Sequence, residues 1–310
     1  MKVEMIRQFG PPSAIVAAEV PRPQPAAGQV LVRIHAAGVG PWDALIREGQ
    51  SGTNPTLPVI LGSDIAGVVE AVGPEVSNFR AGDEIFGVAN EDFTGGYAEY
   101  AAAPAATIAR KPAALNYIDA ASVPVVAVTA WQMLFDYGHA VAGQRVLIHG
   151  AAGSLGAFAV QLARNAGLQI VATASAKDAD YVRSLGAQAV LDYRAGNFED
   201  GLAPVDIVID TVGGEVRERS MRVLTEKGIM VSAHSPIPQE ITDRYGPAKA
   251  VFFLVEVNTA RLDKIRELFD AGKLRTDVGT VLPLDQAKTA HEMLAGAPHA
   301  RGKIVLKVSS

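Results

Sequence analysis

The stretch Arg145-Val146-Leu147-Ile148-His149-Gly150-Ala151-Ala152-Gly153-Ser154-Leu155-Gly156 decides how the chain is read. A short apolar strand, Arg145–His149, feeds a tight glycine turn. That turn opens directly into a helical pattern, Leu155–Ala166, which stops at Gly167. Such a turn presents bare backbone N–H groups at the positive end of a helix dipole, which is what a phosphate requires. Glycine lets the backbone approach an anion with no Cβ in the way. The spacing G-x-G-x-x-G is met from Ala151 through Gly153 to Gly156, with alanine at its first position. A glycine pattern alone is weak evidence, and a tight turn that binds nothing is the bland alternative. Here the strand before it, the helix after it and a second strand at Gln169–Ala174 supply the context of a dinucleotide site.

Working outward, the same rhythm continues. Asp178–Leu185 reads as a helix ended by Gly186, and Ala189–Asp192, Val205–Asp210 and Gly228–Ser232 read as further apolar strands with helical stretches between them. Strands alternating with helices predict a parallel sheet built from βαβ units. The first ~120 residues differ. Val30–His35, Asp64–Val72 and Glu84–Gly87 are strands broken by Gly and Pro, as in a barrel-like or irregular β domain. Near the end come helices at Ala260–Ala271 and Leu284–Ala295, then a strand, Lys303–Val308, with no helix after it. That last strand is expected to return to the first domain. The predicted division is 1–122 with 258–310 as a β-rich domain, and 123–257 as the nucleotide-binding domain.

The bulk numbers exclude several classes. A chain of 310 residues fits about two domains at roughly 100–200 residues each. There is no cysteine, so disulfides, iron–sulfur clusters, thiolate nucleophiles and cysteine-ligated zinc are all ruled out. A net charge of −5 with no Lys/Arg cluster gives no basis for nucleic-acid or anionic-membrane binding. No apolar run approaches the ~20 residues of a membrane span, and the N-terminal Met1-Lys2-Val3-Glu4 leads into a strand-like segment rather than an apolar signal core. A cytoplasmic protein is the expectation.

Which dinucleotide is bound depends on the end of the second strand, where an Asp or Glu accepts from a free ribose 2′-OH. The strand ends Val171-Ala172-Thr173-Ala174-Ser175-Ala176-Lys177. Ser175 holds the expected acid position and leaves room for a 2′-phosphate, while Lys177 neutralises it, so NADPH is the expected cofactor. Asp178 either turns toward this pocket or, the commoner use, caps the helix it opens. Tyr193, ending the third strand, is a second candidate for the pocket, set against simple packing.

With these residues in hand the chain resembles the medium-chain dehydrogenase/reductase superfamily, and within it the zinc-independent quinone oxidoreductase (zeta-crystallin-like) and enone reductase branch. The resemblance covers essentially the whole length. It rests on Leu61-Gly62-Ser63-Asp64-Ile65-Ala66-Gly67-Val68-Val69, Ala81-Gly82-Asp83-Glu84-Ile85-Phe86-Gly87, Gly95-Gly96-Tyr97-Ala98-Glu99-Tyr100, Ala127-Val128-Thr129-Ala130-Trp131, the glycine turn, Asp192-Tyr193-Arg194, Asp210-Thr211-Val212-Gly213-Gly214 and Ala300-Arg301-Gly302-Lys303-Ile304-Val305-Leu306. It implies an α/β fold with a GroES-like β-rich catalytic domain and a Rossmann-fold domain. It further implies an NADPH-dependent enzyme that transfers hydride to a quinone or α,β-unsaturated carbonyl. Zinc-dependent members use a Cys and a Gly-His-Glu, and here those places read Gly40 and Gly62-Ser63-Asp64. No metal is therefore expected, and the Lewis-acid chemistry of the zinc enzymes has no agent.

The resemblance also implies residue roles. Thr129 is expected near the nicotinamide and is named with Asp43 as catalytic. Ala152, Gly153, Ser154 and Leu155 would hold the pyrophosphate; Ser154 stands where Gly is common, and its hydroxyl either adds a contact or simply tolerates the turn. Val212, Gly213, Ser232 and His234 end parallel strands, where ligands bind in such sheets. Phe252, Phe253 and Leu254 match the segment whose backbone meets the carboxamide. Two departures stand out. Many members have Asn-Pro-x-Asp with the Asn in the substrate pocket, but this chain has Gly40-Pro41-Trp42-Asp43, and Leu45 stands where some members carry a Tyr proton donor. A pocket larger at Gly40 and more aromatic at Trp42 follows as an expectation. The expected acceptor pocket is Gly40, Trp42, Asp64, Tyr97 and His234.

Bland readings stand beside these. Asp43 either positions substrate or water, or caps the helix Ala44–Glu48. Tyr97 lines the pocket or packs in a β core. Lys303 approaches the cofactor or is a solvated charge at a strand start. His234 relays a proton or is a surface residue. His149 reads as a strand residue, and His35, His139, His291 and His299 lack metal-like spacing. The competing function is an NADPH-binding sensor or crystallin-like protein with little catalysis. A homodimer through an edge strand of the nucleotide domain is a family-based expectation.

Overall fold

The computed structural model describes residues 1–53, 55–246 and 249–308. It divides into two compact units, Met1–Val125 with Glu256–Ser310, and Val126–Val255.

The N-terminal stretch contributes β1 (Lys2–Ile6), β2 (Ile15–Glu19), β3 (Gln29–Val39), α1 (Pro41–Glu48), β4 (Val59–Ile60), β5 (Asp64–Val72), β6 (Glu84–Val88), β7 (Tyr100–Pro104), β8 (Ile108–Arg110) and α2 (Tyr117–Ala121). The second unit is reached within α3 (Pro124–Trp131), which runs on as π-type turns over Gln132–Tyr137. It then alternates: β9 (Arg145–Ile148), α4 (Ser154–Asn165), β10 (Gln169–Ala174), α5 (Ala179–Leu185), β11 (Ala189–Asp192), β12 (Val205–Asp210), α6 (Val216–Met221), β13 (Leu224–Ser232), α7 (Gln239–Tyr245) and β14 (Ala250–Phe252). The chain closes with α8 (Thr259–Asp270), β15 (Val278–Pro283), α9 (Ala287–Leu294) and β16 (Lys303–Lys307).

The second unit is a Rossmann fold. Its sheet runs β11-β10-β9-β12-β13-β14, parallel throughout. Strands of such a sheet are buried on both faces and so read as continuous apolar runs. Val146, Leu147, Ile148, Val208 and Ile209 are all fully buried. At roughly 1.5–3 kcal/mol for each large apolar side chain removed from water, this core fixes the strand register. The order reverses between β9 and β12, which places the glycine turn after β9 at the switch point, where ligands bind in open α/β sheets.

The first unit is the GroES-like domain. Its main sheet runs β15-β16-β3-β5-β6-β8, with β7 also on β3. β16 pairs antiparallel with β3, Ile304 opposite Val39 and Lys307 opposite Ala36, so the last strand joins the first domain's sheet. A three-stranded sheet, β2-β1-β4, shares a core with α9 and the end of α1 around Ile6, Ile46, Leu61, Tyr97 and Ala290. Element boundaries differ from the sequence expectation mainly at β3, which runs four residues beyond His35, and at β13, which starts at Leu224.

Candidate functional site

The glycine turn is built around two close approaches. Gly150 has φ +64, and α4 begins immediately after Gly153. A Cβ on Gly156 would lie closer than 3.0 Å to the Gly150 carbonyl oxygen and the Ala151 Cα, so the helix packs on the turn only with glycine there. Gly153 is a different case. It is exposed, its φ of −77 suits any residue, and a Cβ would meet nothing nearer than Gly150 O at 3.4 Å. Packing and φ leave position 153 open to other residues; as the N-cap of α4 it favours glycine over alanine, and its exposed backbone leaves room beside the helix start. No side chain caps this end of α4, so its first N–H groups have no side-chain acceptor. Ala152, Ser154 and Leu155 are half-buried around it.

The end of β10 carries a cavity of about 290 Å³, lined by Ser175, Ala179, Asp180, Arg183, Val190 and Asp192. Ser175 is buried, Lys177 is exposed, and Tyr193 is 54 % exposed beside Arg194, so Tyr193 is not packed away at its strand end. The expectation that Asp178 caps α5 is corrected. Its side chain makes no cap bond and instead accepts from the Ser175 hydroxyl at 2.7 Å, because that buried hydroxyl needs an acceptor.

The loops after β12 and β13 are held by a group that the sequence did not disclose, Arg217. It is buried on α6 and donates from all three nitrogens: Nε to Asp210 Oδ2 (2.8 Å), Nη1 to Pro236 O (2.9 Å), and Nη2 to Ser232 Oγ and Ser235 O (2.9 and 2.8 Å). Asp210 also accepts from the backbone N–H groups of Val212 and Gly213 and from the Ser232 hydroxyl. Burial alone would raise the Asp210 carboxyl, but the Arg217 bond and the two backbone bonds outweigh it and hold it below the usual range. Val212 and His234 stay exposed above this network, and Ser232 is buried within it. Thr129 is 6 % exposed and Phe253 is buried against Tyr137, with ring centroids 4.4 Å apart; Phe252 is half-buried and Leu254 exposed. His149 follows β9 and is buried between Thr173 and Ser220, at 3.1 and 2.9 Å; burial pushes it down to about 4.

The first unit holds a second polar cluster, and here several expectations change. Asp43 caps α1 from a different position than expected: Gly40 is the N-cap, α1 starts at Pro41, and Asp43, the third helical residue, reaches back so that its Oδ2 accepts from Gly40 N at 2.8 Å. The same oxygen accepts from Tyr97 OH at 3.1 Å. Tyr97 meets His291 Nε2 at 3.4 Å, and His291 Nδ1 lies 2.6 Å from Arg47 Nη1. A guanidinium only donates, so Nδ1 accepts and the imidazole proton sits on Nε2, pointing at the tyrosine oxygen. Asp43, Tyr97, His291 and Arg47 are all buried, and Asp43 Oδ1 has no hydrogen-bond partner among the described residues. Burial pushes Asp43 up to about 7 and His291 down to about 3, and the Arg47 guanidinium helps lower His291.

Asp64 is equally enclosed. Its Oδ1 accepts from Val125 N, and its Oδ2 pairs with Lys303 Nζ at 3.2 Å. Burial raises its carboxyl, against the opposing pull of Lys303. Lys303 is only 4 % exposed, which excludes a solvated charge, and its ammonium lies 4.2 Å from the Trp42 ring centroid. Asp43, Asp64 and Tyr97, expected to meet substrate or to line its pocket, are thus wholly buried and engaged with one another's neighbours. The expected extra room at Gly40 is also absent. A Cβ there would fall closer than 3.0 Å to Cε2, Cζ2 and Cη2 of Trp42, so the indole already occupies that space. Its Nε1–H donates to Ser63 Oγ at 2.8 Å. The structure therefore gathers Gly40, Trp42, Asp43, Asp64, Tyr97 and Lys303 into one cluster. His291, whose spacing gave no metal-like signal, and Arg47 complete it. Among the described residues, no group of three or more His, Cys, Asp or Glu side chains is placed to hold a metal ion, and no helix is long and apolar enough to cross a membrane.

Comparison with known proteins agrees with this architecture. Residues 26–113 match the alcohol dehydrogenase GroES-like domain, and residues 185–306 match the family described as zinc-binding dehydrogenase. The quinone oxidoreductase of Sus scrofa is 33 % identical, the match covering 99 % of this chain and 97 % of that protein. The solved quinone oxidoreductase of Coxiella burnetii superposes with a TM-score of 0.92 at 34 % identity, over 100 % of this chain and 99 % of that one. The Escherichia coli quinone oxidoreductase solved with NADPH gives 0.85 at 26 % identity, over 98 % and 100 %. The chain belongs to the quinone oxidoreductase family of the medium-chain dehydrogenases/reductases.

Proposed function

We propose that this protein is an NADPH-dependent reductase that delivers hydride to a quinone or an α,β-unsaturated carbonyl without a metal. The observation that carries the reading is the glycine turn at the switch point: Gly153 keeps its backbone exposed at the start of α4, and the second strand ends in Ser175 rather than an acid. The cavity at the end of β10 fits the adenosine half, with Lys177 and Tyr193 exposed for the 2′-phosphate. The first-turn N–H groups of α4 would take the pyrophosphate. NADPH would supply the hydride. Val212, Gly213, Ser232 and His234, set by the Asp210–Arg217 network, would position its nicotinamide end with Thr129 and Phe252 to Leu254. NADPH complexes of family members support this choice of nucleotide.

Metal independence is supported by what stands at the two ligand positions. Gly40 and Ser63 offer no thiolate or imidazole, and the indole of Trp42 bridges them. The buried Lys303 ammonium beside that indole makes the place hostile to a dication. The net reaction takes one hydride from NADPH and one proton. Because Asp43 is enclosed, its part is to hold Gly40 and the start of α1 in place, and the proton comes from solvent. A cytoplasmic location and assembly through the β14 edge into a homodimer belong to the same reading.

NADPH oxidation followed at 340 nm with 1,4-quinones and short enones tests the proposal, together with metal analysis of the purified protein. Turnover with at least one acceptor class and no stoichiometric zinc are expected. Tight NADPH binding with no turnover across the panel would sink the enzyme reading in favour of a sensor.

A further inference from the structure

We propose that His149 is a positioning residue of the nucleotide site, a buried cross-tie that holds the glycine turn in register for a pyrophosphate; this rests on the NADPH reading above. β9 is apolar and fully buried from Val146 to Ile148, and the next residue is a histidine only 2 % exposed. Taking an imidazole out of water there is costly unless both of its nitrogens are bonded. Both are. Nδ1 lies 3.1 Å from Thr173 Oγ1 near the end of β10, and Nε2 lies 2.9 Å from Ser220 Oγ on α6. The Ser220 hydroxyl donates its one proton to Val216 O at 2.7 Å, so toward His149 it can only accept. Nε2 therefore carries the imidazole proton, and Nδ1 accepts from Thr173. Burial keeps the ring neutral by pushing it down to about 4, with Asp210 opposing that effect and Arg219 adding to it.

The same neighbours hold the turn itself. Thr173 O accepts from Ala151 N at 3.1 Å, and His149 O accepts from the Thr211 hydroxyl at 2.7 Å. That hydroxyl stands over Gly150, where a Cβ would come closer than 3.0 Å to it. Three segments that converge on the turn, β9, β10 and the connection from β12 into α6, thus meet at one side chain. Phe198 packs edge-on against the imidazole, with ring centroids 4.7 Å apart. An apolar ring of similar size would fill this space and bury as well. What it would not do is fix where β10 and α6 stand relative to Gly150. Apolar contact is non-directional, whereas two hydrogen bonds with assigned donors set both distance and angle. A phosphate is bound by several backbone N–H groups of a turn at once, so a small shift of the turn weakens all of them together.

The test is calorimetric titration of the full-length protein with NADPH and with 2′-AMP. The two share the adenosine 2′-phosphate, but 2′-AMP has no pyrophosphate to place on the turn. A triple variant, His149→Phe with Thr173→Val and Ser220→Ala, replaces the tied groups by apolar ones of similar shape. It strands no buried hydroxyl or ring nitrogen, so its urea midpoint should stay close to the wild type. Its NADPH affinity should fall by about tenfold, the scale of one weakened bond to a charged group, while its 2′-AMP affinity changes by less than about twofold. Thr173→Val and Ser220→Ala, each cutting one bond, should show the same split at smaller size, and they carry the test if the triple variant does not fold. His149→Gln keeps a donor and an acceptor and should recover much of the NADPH affinity. Equal losses for both ligands, or full NADPH affinity in the triple variant, would overturn the proposal and leave His149 a core residue. A wild type that binds no NADPH would instead sink the nucleotide reading, and the cross-tie with it.

Discussion

The Tyr97 hydroxyl donates to Oδ2 of Asp43 across 3.1 Å, and neither side chain reaches solvent. Tyr97 comes from the loop before β7 and Asp43 from the first turn of α1, so this bond ties two segments far apart in sequence. It leaves Asp43 with one satisfied oxygen and one bare one, in a place where ionisation is expensive.

That expense sets a pH dependence. Burial raises Asp43 to about 7, so its contribution to stability is fully present below the ordinary carboxylate range near 4 and is lost as the pH rises through about 7. Glu4, raised to about 7 by burial and by Asp285, acts in the same sense. His149 and His291, lowered to about 4 and about 3, act oppositely: their contribution is present above 6.5 and drains away on acidification. In the wild type these trends offset each other between pH 4 and 6.5. Asp43→Asn removes part of one side of the balance and leaves Glu4 on it. Urea midpoints measured from pH 5 to 8 should fall more steeply toward acid in Asp43→Asn than in the wild type. Parallel curves would refute the buried, protonated Asp43.

Arg217 offers a test of the second unit. It is 2 % exposed, and the Asp210 carboxylate it pairs with is wholly buried. Removing one partner of such a pair strands the other charge and costs about 3–5 kcal/mol. Lysine keeps the charge but not the planar fork that reaches Asp210, Ser232, Ser235 and Pro236 together. Arg217→Lys is therefore expected to lose stability in chemical denaturation and, because the 212–213 and 232–234 loops lose their anchor, to raise KM for NADPH. Wild-type stability in Arg217→Lys would mean that the network is dispensable.

The contrast between these two residues shows where sequence reasoning stopped. The Rossmann unit was legible because period and punctuation are local: an apolar strand ended by Gly150 and helices ended by Gly167 and Gly186 need no tertiary information, and β11 and β12 fall on their expected bounds. The glycine turn was legible for the same reason. Arg217 was not, because Val216-Arg217-Glu218-Arg219-Ser220-Met221 offers two arginines, and only the fold decides that Arg217 turns inward and Arg219 pairs with Glu199. His291 and Arg47 meet across 244 positions of chain, a distance over which spacing carries no signal. The error at Gly40 has a similar origin. A missing side chain looked like space, but a neighbour two residues away had filled it.

On the NADPH reading, Asp178 would make the nucleotide preference adjustable. Its carboxylate accepts from Ser175, at the strand end where a ribose 2′-substituent would lie, and Lys177 is exposed beside it. A carboxylate near a 2′-phosphate repels it, and the ammonium attracts it. Asp178→Asn should shift the NADPH-to-NADH ratio of kcat/KM toward NADPH by several-fold, and Lys177→Ala should shift it the other way. Each effect should shrink as ionic strength rises, because both groups are near the surface. A ratio indifferent to both changes would place the 2′-position elsewhere.

Gly153 separates binding from folding more cleanly than any other position in the turn. At Gly156 a methyl group would collide with Gly150 and Ala151, so a loss of binding there would be inseparable from damage to the helix packing. At Gly153 the backbone is extended, with φ −77 and ψ 164, and an added Cβ touches only Gly150 O at ordinary contact distance. Restricting the unfolded chain gains about 0.4–1 kcal/mol for such a Gly→Ala change, and alanine is a poorer N-cap than glycine by a comparable amount. The two terms oppose, so the urea midpoint of Gly153→Ala should stay close to the wild type. The pyrophosphate would nevertheless meet the new methyl where it needs the bare backbone, and NADPH affinity by fluorescence titration should drop by about tenfold or more, as for the loss of a charged contact worth ~1.4 kcal/mol. Stability and affinity falling together would show that glycine at 153 serves the fold, and unchanged affinity would remove the observation on which the nucleotide site rests.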